Sequence, residues 1–138
     1  MRVRALAFVS ISSLVLLGAC GDDGGDSSPE AATFCSVVAP IQALPSVLEN
    51  YEDVEGVKAT MTSAETALAE VSGTPPEGIA SDVAVVTAAF GPANEVLKAA
   101  DYNYDAVSDA DADKVAALTD PAFQSAADNI QAWSTDNC

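Results

Sequence analysis

The chain has 138 residues, of which 21 are acidic and five basic, giving a formal net charge of −16, and it contains no histidine. So acidic a molecule is repelled by nucleic acid and by anionic lipid, which sets nucleic-acid binding aside. The missing imidazole removes the commonest general base and transition-metal ligand, and with it Ser-His and Cys-His nucleophile pairs.

Arg2 and Arg4 lead an uncharged, largely apolar stretch from Ala5 to Gly18 that ends in small residues. Such a layout predicts a secretory signal over residues 1–19. The apolar stretch, about 14 residues, is shorter than the roughly 20 a membrane-spanning helix needs, and no positive flank follows it. Leu17, Gly18, Ala19 and Cys20 resemble the lipobox of bacterial lipoproteins: an aliphatic residue, two small residues, then the cysteine. The resemblance implies diacylglyceryl transfer to Cys20, cleavage in front of it and fatty acylation (palmitate) of the new N-terminus. It thus implies an exported protein, lipid-anchored to the outer face of the cell membrane. Each buried methylene contributes about 0.8 kcal/mol, so one acyl chain holds a protein reversibly and two or more hold it durably. All the acidic residues lie beyond Cys20, so attraction to the membrane must come from the lipid. Residues 20–33 comprise Cys20 and a linker rich in Gly, Asp, Ser and Pro, expected to be a flexible tether with a typical span of about 20 Å.

Residues 34–138 form the expected domain. Phe34, Val37, Val38, Ile41, Leu44 and Leu48 begin a helical spacing. It continues through Val54, Val57, Met61, Ala64, Leu68 and Val71, and then through Ile79, Val83, Val86, Phe90, Ala93, Leu97, Ala100 and Tyr104. Phe123, Ala126, Ile130 and Trp133 close the series. Steps of three and four place one apolar stripe along a helix, whereas a strand would alternate every second residue. Asp53 is positioned to cap the second stretch, and Ser72-Gly73-Thr74-Pro75-Pro76 to end it. Asp111 is placed to cap a short stretch ending at Leu118, and Asp120-Pro121 reads as a cap followed by proline at the first helical position. Pro40, Pro45 and Pro92 fall inside apolar-periodic stretches and predict kinks or breaks.

The fold class expected is all-α, an up-and-down four-helix bundle. With Cys20 used by lipid, Cys35 and Cys138 remain as an even pair in an oxidising compartment and are expected to form a disulfide. In an up-and-down bundle those two positions meet only when the number of long spans is even, which four satisfies. Phe34-Cys35, Leu44-Pro45 and the interval from Trp133 to Cys138 resemble uncharacterised small helical lipoproteins of high-GC Gram-positive bacteria. That likeness implies a disulfide-tied helical domain and carries no functional residue.

No Gly-x-Ser-x-Gly, Walker or dinucleotide motif is present, and the scattered carboxylates single out no catalytic pair, so an enzyme is not expected. Asp109, Asp111, Asp113 and Asp120 fall at positions 1, 3, 5 and 12 of a calcium-loop template, where carboxylates can converge on one hard cation. Against calcium, position 6 is Lys114 instead of glycine, and the same residues suit a solvated turn with capping aspartates. The connections 49–53 and 101–105 each combine tyrosine, asparagine and carboxylate. Tyr51, Tyr102, Asn103 and Tyr104 could form a membrane-distal acidic, aromatic tip for a cationic or sugar-bearing partner, an envelope protein or a glycan. The plainer alternative is that Tyr51 and Tyr104 complete the core and only Tyr102 is exposed. The expected function is a non-enzymatic interaction or accessory module of the cell envelope. The alternatives are a carrier holding a small apolar or cationic ligand in an internal pocket, and a calcium-binding surface protein.

Overall fold

The computed structural model describes residues 28–49 and 51–138, so the expected signal peptide, Cys20 and the linker as far as residue 27 lie outside the described residues. The helices are α1 (Pro29–Val37), α2 (Ala39–Gln42), α3 (Leu44–Glu49), α4 (Val54–Val71), α5 (Ala80–Ala99), α6 (Ala112–Ala116) and α7 (Pro121–Asn137). Short 3₁₀ turns occupy 77–79, 104–106 and 117–119, and there is no strand among the described residues.

Helical structure begins earlier than the apolar pattern predicts. The Ser28 hydroxyl accepts the Ala31 N–H at 3.1 Å and Pro29 takes the first helical position, where its missing N–H costs nothing. Residues 29–33 therefore belong to α1 and not to the tether, and Ala31 is buried. Downstream, Pro40 and Pro45 divide the expected first helix into α1, α2 and α3. Val38 and Ala43 at the joints keep right-handed helical dihedrals, so the pieces follow one another as a bent segment.

The capping aspartates act as expected at two ends. Asp53 accepts the Gly56 N–H at 3.1 Å to open α4, and a Cβ at Gly56 would collide with that carboxylate. Asp120 accepts the Ala122 N–H at 2.8 Å to open α7, with Pro121 at its first position. Asp111 does not cap α6; its carboxylate is drawn to Lys114 instead.

α5 runs unbroken through Pro92. The residue before a proline is normally pushed out of the helical region by its own Cβ, and here that residue is Gly91. The buried stripe of Phe90, Ala93 and Leu97 on either side helps offset the lost hydrogen bond. The end of α5 departs from expectation. Asp101 and Tyr102 take positive φ (51° and 59°). The Tyr102 N–H bonds the Leu97 carbonyl at 2.7 Å and the Asp101 N–H bonds the Lys98 carbonyl at 3.1 Å. This is a Schellman closure made without glycine, and Tyr102, the second residue after the cap, is the position from which such closures make a hydrophobic contact with the last turn. The chain reverses there, so the stripe ends at Leu97 and does not reach Tyr104.

The packing follows a cycle. The α1–α3 segment lies on α4, α4 on α5, α5 on α7, and α7 on α1 and α2. Phe34, Ile41, Leu44, Met61, Leu97, Leu118, Phe123 and Ile130 fill the interior almost without solvent contact. Burying each such side chain contributes roughly 1.5–3 kcal/mol, which outweighs any helix propensity here. The turn at 117–119 drives Leu118 between α3, α5, α6 and α7. The turn at 77–79 packs on α7, where a Cβ on Gly78 would stand 3.1 Å from Trp133 Nε1.

Candidate functional site

The connection between α3 and α4 and the one after α5 come together. The rings of Tyr51 and Tyr104 lie 5.2 Å apart, tilted by 39°. These two are among the few large hydrophobic side chains left exposed, at 46% and 40%. Beside them a half-open recess of about 390 Å³ is lined by Tyr51, Glu52, Val54, Asn103 and Asp105. Its geometry follows from the local chain. Asn103 Oδ1 accepts the Asp105 N–H at 3.1 Å and so caps the 3₁₀ turn that carries Tyr104.

Of the four residues expected at a tip, Tyr102 does not belong to the surface. It is 7% exposed and forms part of the core. The plainer alternative is reversed too, since Tyr51 and Tyr104 are the outward pair. The left-handed residues Asp101 and Tyr102 are the cause: the turn they make folds Tyr102 back onto the end of α5 and sends Tyr104 outward.

The calcium template is not assembled. Asp111 Oδ1 accepts from Lys114 Nζ at 2.7 Å and Asp111 Oδ2 accepts the Ser108 hydroxyl at 2.9 Å. Its hydrogen bond to Lys114, then that to Ser108, hold the Asp111 carboxyl below the ordinary aspartate range, and the same bond raises Lys114. Asp120 is engaged at the start of α7, while Asp109 and Asp113 are exposed. No group of three or more carboxylate, thiol or imidazole side chains is arranged to hold a metal ion among the described residues. Helix formation at Ala112 is the reason, since it places these aspartates around a helix start and not around a loop.

Cys35 and Cys138 form a disulfide with Cα atoms 5.4 Å apart. It ties α1 to the end of α7, where Trp133 meets Phe34 edge-on at 5.3 Å. Cys20 lies outside the described residues. No described helix is long and apolar enough to cross a membrane.

One buried feature escaped the sequence pattern. Asn94, 3% exposed, stands in α5 with no donor to its Oδ1. It lines a groove of about 220 Å³ between α4 and α5, along which Glu65 to Ser72 runs against Glu95 to Thr87. The signal was available, because Asn94 falls four residues after Phe90 and three before Leu97 on the same stripe. At the rim of the groove Lys98 Nζ meets both oxygens of Glu65 at 2.6 Å, and that bond raises the Lys98 pKa. The groove opens to solvent and is not the internal pocket expected of a carrier.

No protein-family model matches the chain, and the searches find no curated protein and no solved structure similar to it.

Proposed function

We propose that the protein is an exported lipoprotein, cut before Cys20 and acylated there, whose helical domain is a non-enzymatic interaction module of the cell envelope. The domain is read as an up-and-down bundle of four spans, with α1–α3 as the first. Three observations support that reading: the cyclic packing of the segments, the disulfide between α1 and the end of α7, and the 77–79 turn beside Trp133. On that reading the disulfide and the α4–α5 connection share the end that the tether enters. The connections bearing Tyr51 and Tyr104 then belong to the opposite end, away from the membrane. The disulfide suits an oxidising compartment.

The observation that carries the functional reading is the exposed Tyr51–Tyr104 pair. Two aromatic rings held in water beside carboxylates give up burial that the core could have used. Tyrosine in such a setting offers contact area at a low entropy cost. Photo-cross-linking in living cells tests the reading, with a photoreactive residue at position 51, 104 or, as a control, the exposed Ser125. Discrete adducts at 51 and 104 and none at 125 are expected. Equal adducts at all three positions would refute a dedicated surface. Loss of membrane retention in Cys20→Ala, read by fractionation and mass spectrometry, tests the anchor independently.

A further inference from the structure

We infer that the Tyr51–Tyr104 end binds arginine side chains projecting from a partner protein. The inference rests on the interaction-module reading above and supplies its chemistry. The recess is lined by Glu52, Asp105 and Tyr51, and the Tyr104 ring packs against Tyr51 at 5.2 Å. Among the described residues neither carboxylate forms an ion pair; the lysines that do form one, Lys98 and Lys114, are engaged by Glu65 and Asp111. Lys58, in the first turns of α4, forms no ion pair with either carboxylate.

The geometry selects among cations. A guanidinium is planar, weakly hydrated and carries donors around its edge, so it can lay one face on a tyrosine ring while its edge meets a carboxylate. A lysine ammonium is a compact, strongly hydrated point charge that satisfies the carboxylates but stacks on neither ring. A neutral glycan could cover the rings, but it would gain nothing from the two carboxylates. The recess, about 390 Å³, is open on one side and is accessible to a side chain presented by another surface. It suits a side chain whose parent surface rests on the rim. Arginine and tyrosine are also the residues enriched where protein interfaces carry most of their binding energy.

The chain has three tyrosines, which makes the test direct. The full lipidated protein in non-ionic detergent micelles, with ¹³C-labelled tyrosine rings, is titrated with a Gly-Arg-Gly-Arg-Gly peptide. Matched lysine and citrulline peptides and a neutral glucose oligomer are the comparisons. The Tyr51 and Tyr104 ring signals should shift saturably with the arginine peptide, while the buried Tyr102 signal stays in place. Lysine should bind more weakly and citrulline not at all. Tyr104→Leu should weaken arginine binding about two- to fivefold, the share expected of one exposed cation–π contact. An unmoved Tyr102 signal in that variant shows that the fold is intact. Asp105→Asn should weaken binding as well, and added salt should do the same. The inference is overturned if citrulline matches arginine, if all three rings shift together, or if the glucose oligomer moves the pair and arginine does not. In those cases position-specific cross-links at 51 and 104 would still uphold an interaction surface of different chemistry. Absent cross-links alongside arginine binding would instead count against the cellular role.

Discussion

Replacing Asn94 with leucine should stabilise the protein. Asn94 is 3% exposed, and no protein donor reaches its Oδ1. Leaving a buried amide oxygen unpaired costs about 1–3 kcal/mol. Leucine has the same branching, removes both polar atoms and adds apolar area to the α4–α5 contact. Its larger methyl groups would strain a closed core by about 1–3 kcal/mol. Here the side chain borders a groove of about 220 Å³ that can take the extra volume. The net expectation is a gain of about 1–2 kcal/mol, which is a rise of several degrees in Tm for a domain of this size. Urea unfolding followed by circular dichroism should show a higher midpoint with an unchanged slope, the signature of altered stability without altered compactness. Asn94→Asp should move the midpoint the other way, because a carboxylate there would be buried without a partner. If Asn94→Leu proves no more stable than the parent, the oxygen is satisfied by solvent through the groove, and its isolation is not a cost to the fold.

Removing the disulfide should be the most damaging simple change. The linked cysteines are 103 residues apart in sequence, and closing so long a loop contributes about 4–5 kcal/mol in the chain-entropy model. That is a large share of the 5–15 kcal/mol typical of folded domains, so the Cys35→Ala, Cys138→Ala double variant should unfold at much lower urea. A midpoint within error of the parent would refute this. The two surface ion pairs respond to pH in opposite directions, each with a small effect because both are exposed. Asp111 is held below the usual carboxylate range, chiefly by Lys114, so its contribution is whole above the unfolded aspartate pKa, near about 3.9, and fades as pH falls through the lower folded value. Lys98 is raised, first by its bond to Glu65, so its contribution is whole below about pH 10.4 and fades as pH rises through the higher folded value. Side-chain carboxyl NMR should show the Asp111 titration moving up in Lys114→Ala; an unmoved titration would show that the ion pair does not form in solution.

Much of the helical architecture was legible in the residue order. Steps of three and four in Val57, Met61, Ala64, Leu68 and Val71, or in Phe123, Ala126 and Ile130, mark the buried faces that the structure shows. Asp53 and Asp120 mark the starts of α4 and α7 because a capping carboxylate acts on N–H groups two or three residues away. The pairing of Cys35 with Cys138 followed from there being two cysteines beyond Cys20. The start of α1 was legible in Ser28-Pro29-Glu30 but hidden by a composition that resembles a linker. All of these signals are local or countable.

Which tyrosines face outward was settled by tertiary structure. Tyr102 and Tyr104 lie two positions apart and are chemically identical, and the helical stripe, if continued, would have put Tyr104 inside. Which of them is buried depends on where α5 stops, and it stops where Asp101 and Tyr102 accept left-handed backbone to close its last turn. Neither residue announces such a turn as glycine would. Likewise, the aspartates of the calcium template were dispersed by a helix start at Ala112, and the turn after that helix anchors Leu118 among α3, α5, α6 and α7. Periodicity and capping act over one or two turns of chain and can be read along it. The outward face of a connection depends on how distant segments compete for the same interior, and that competition is resolved only by packing.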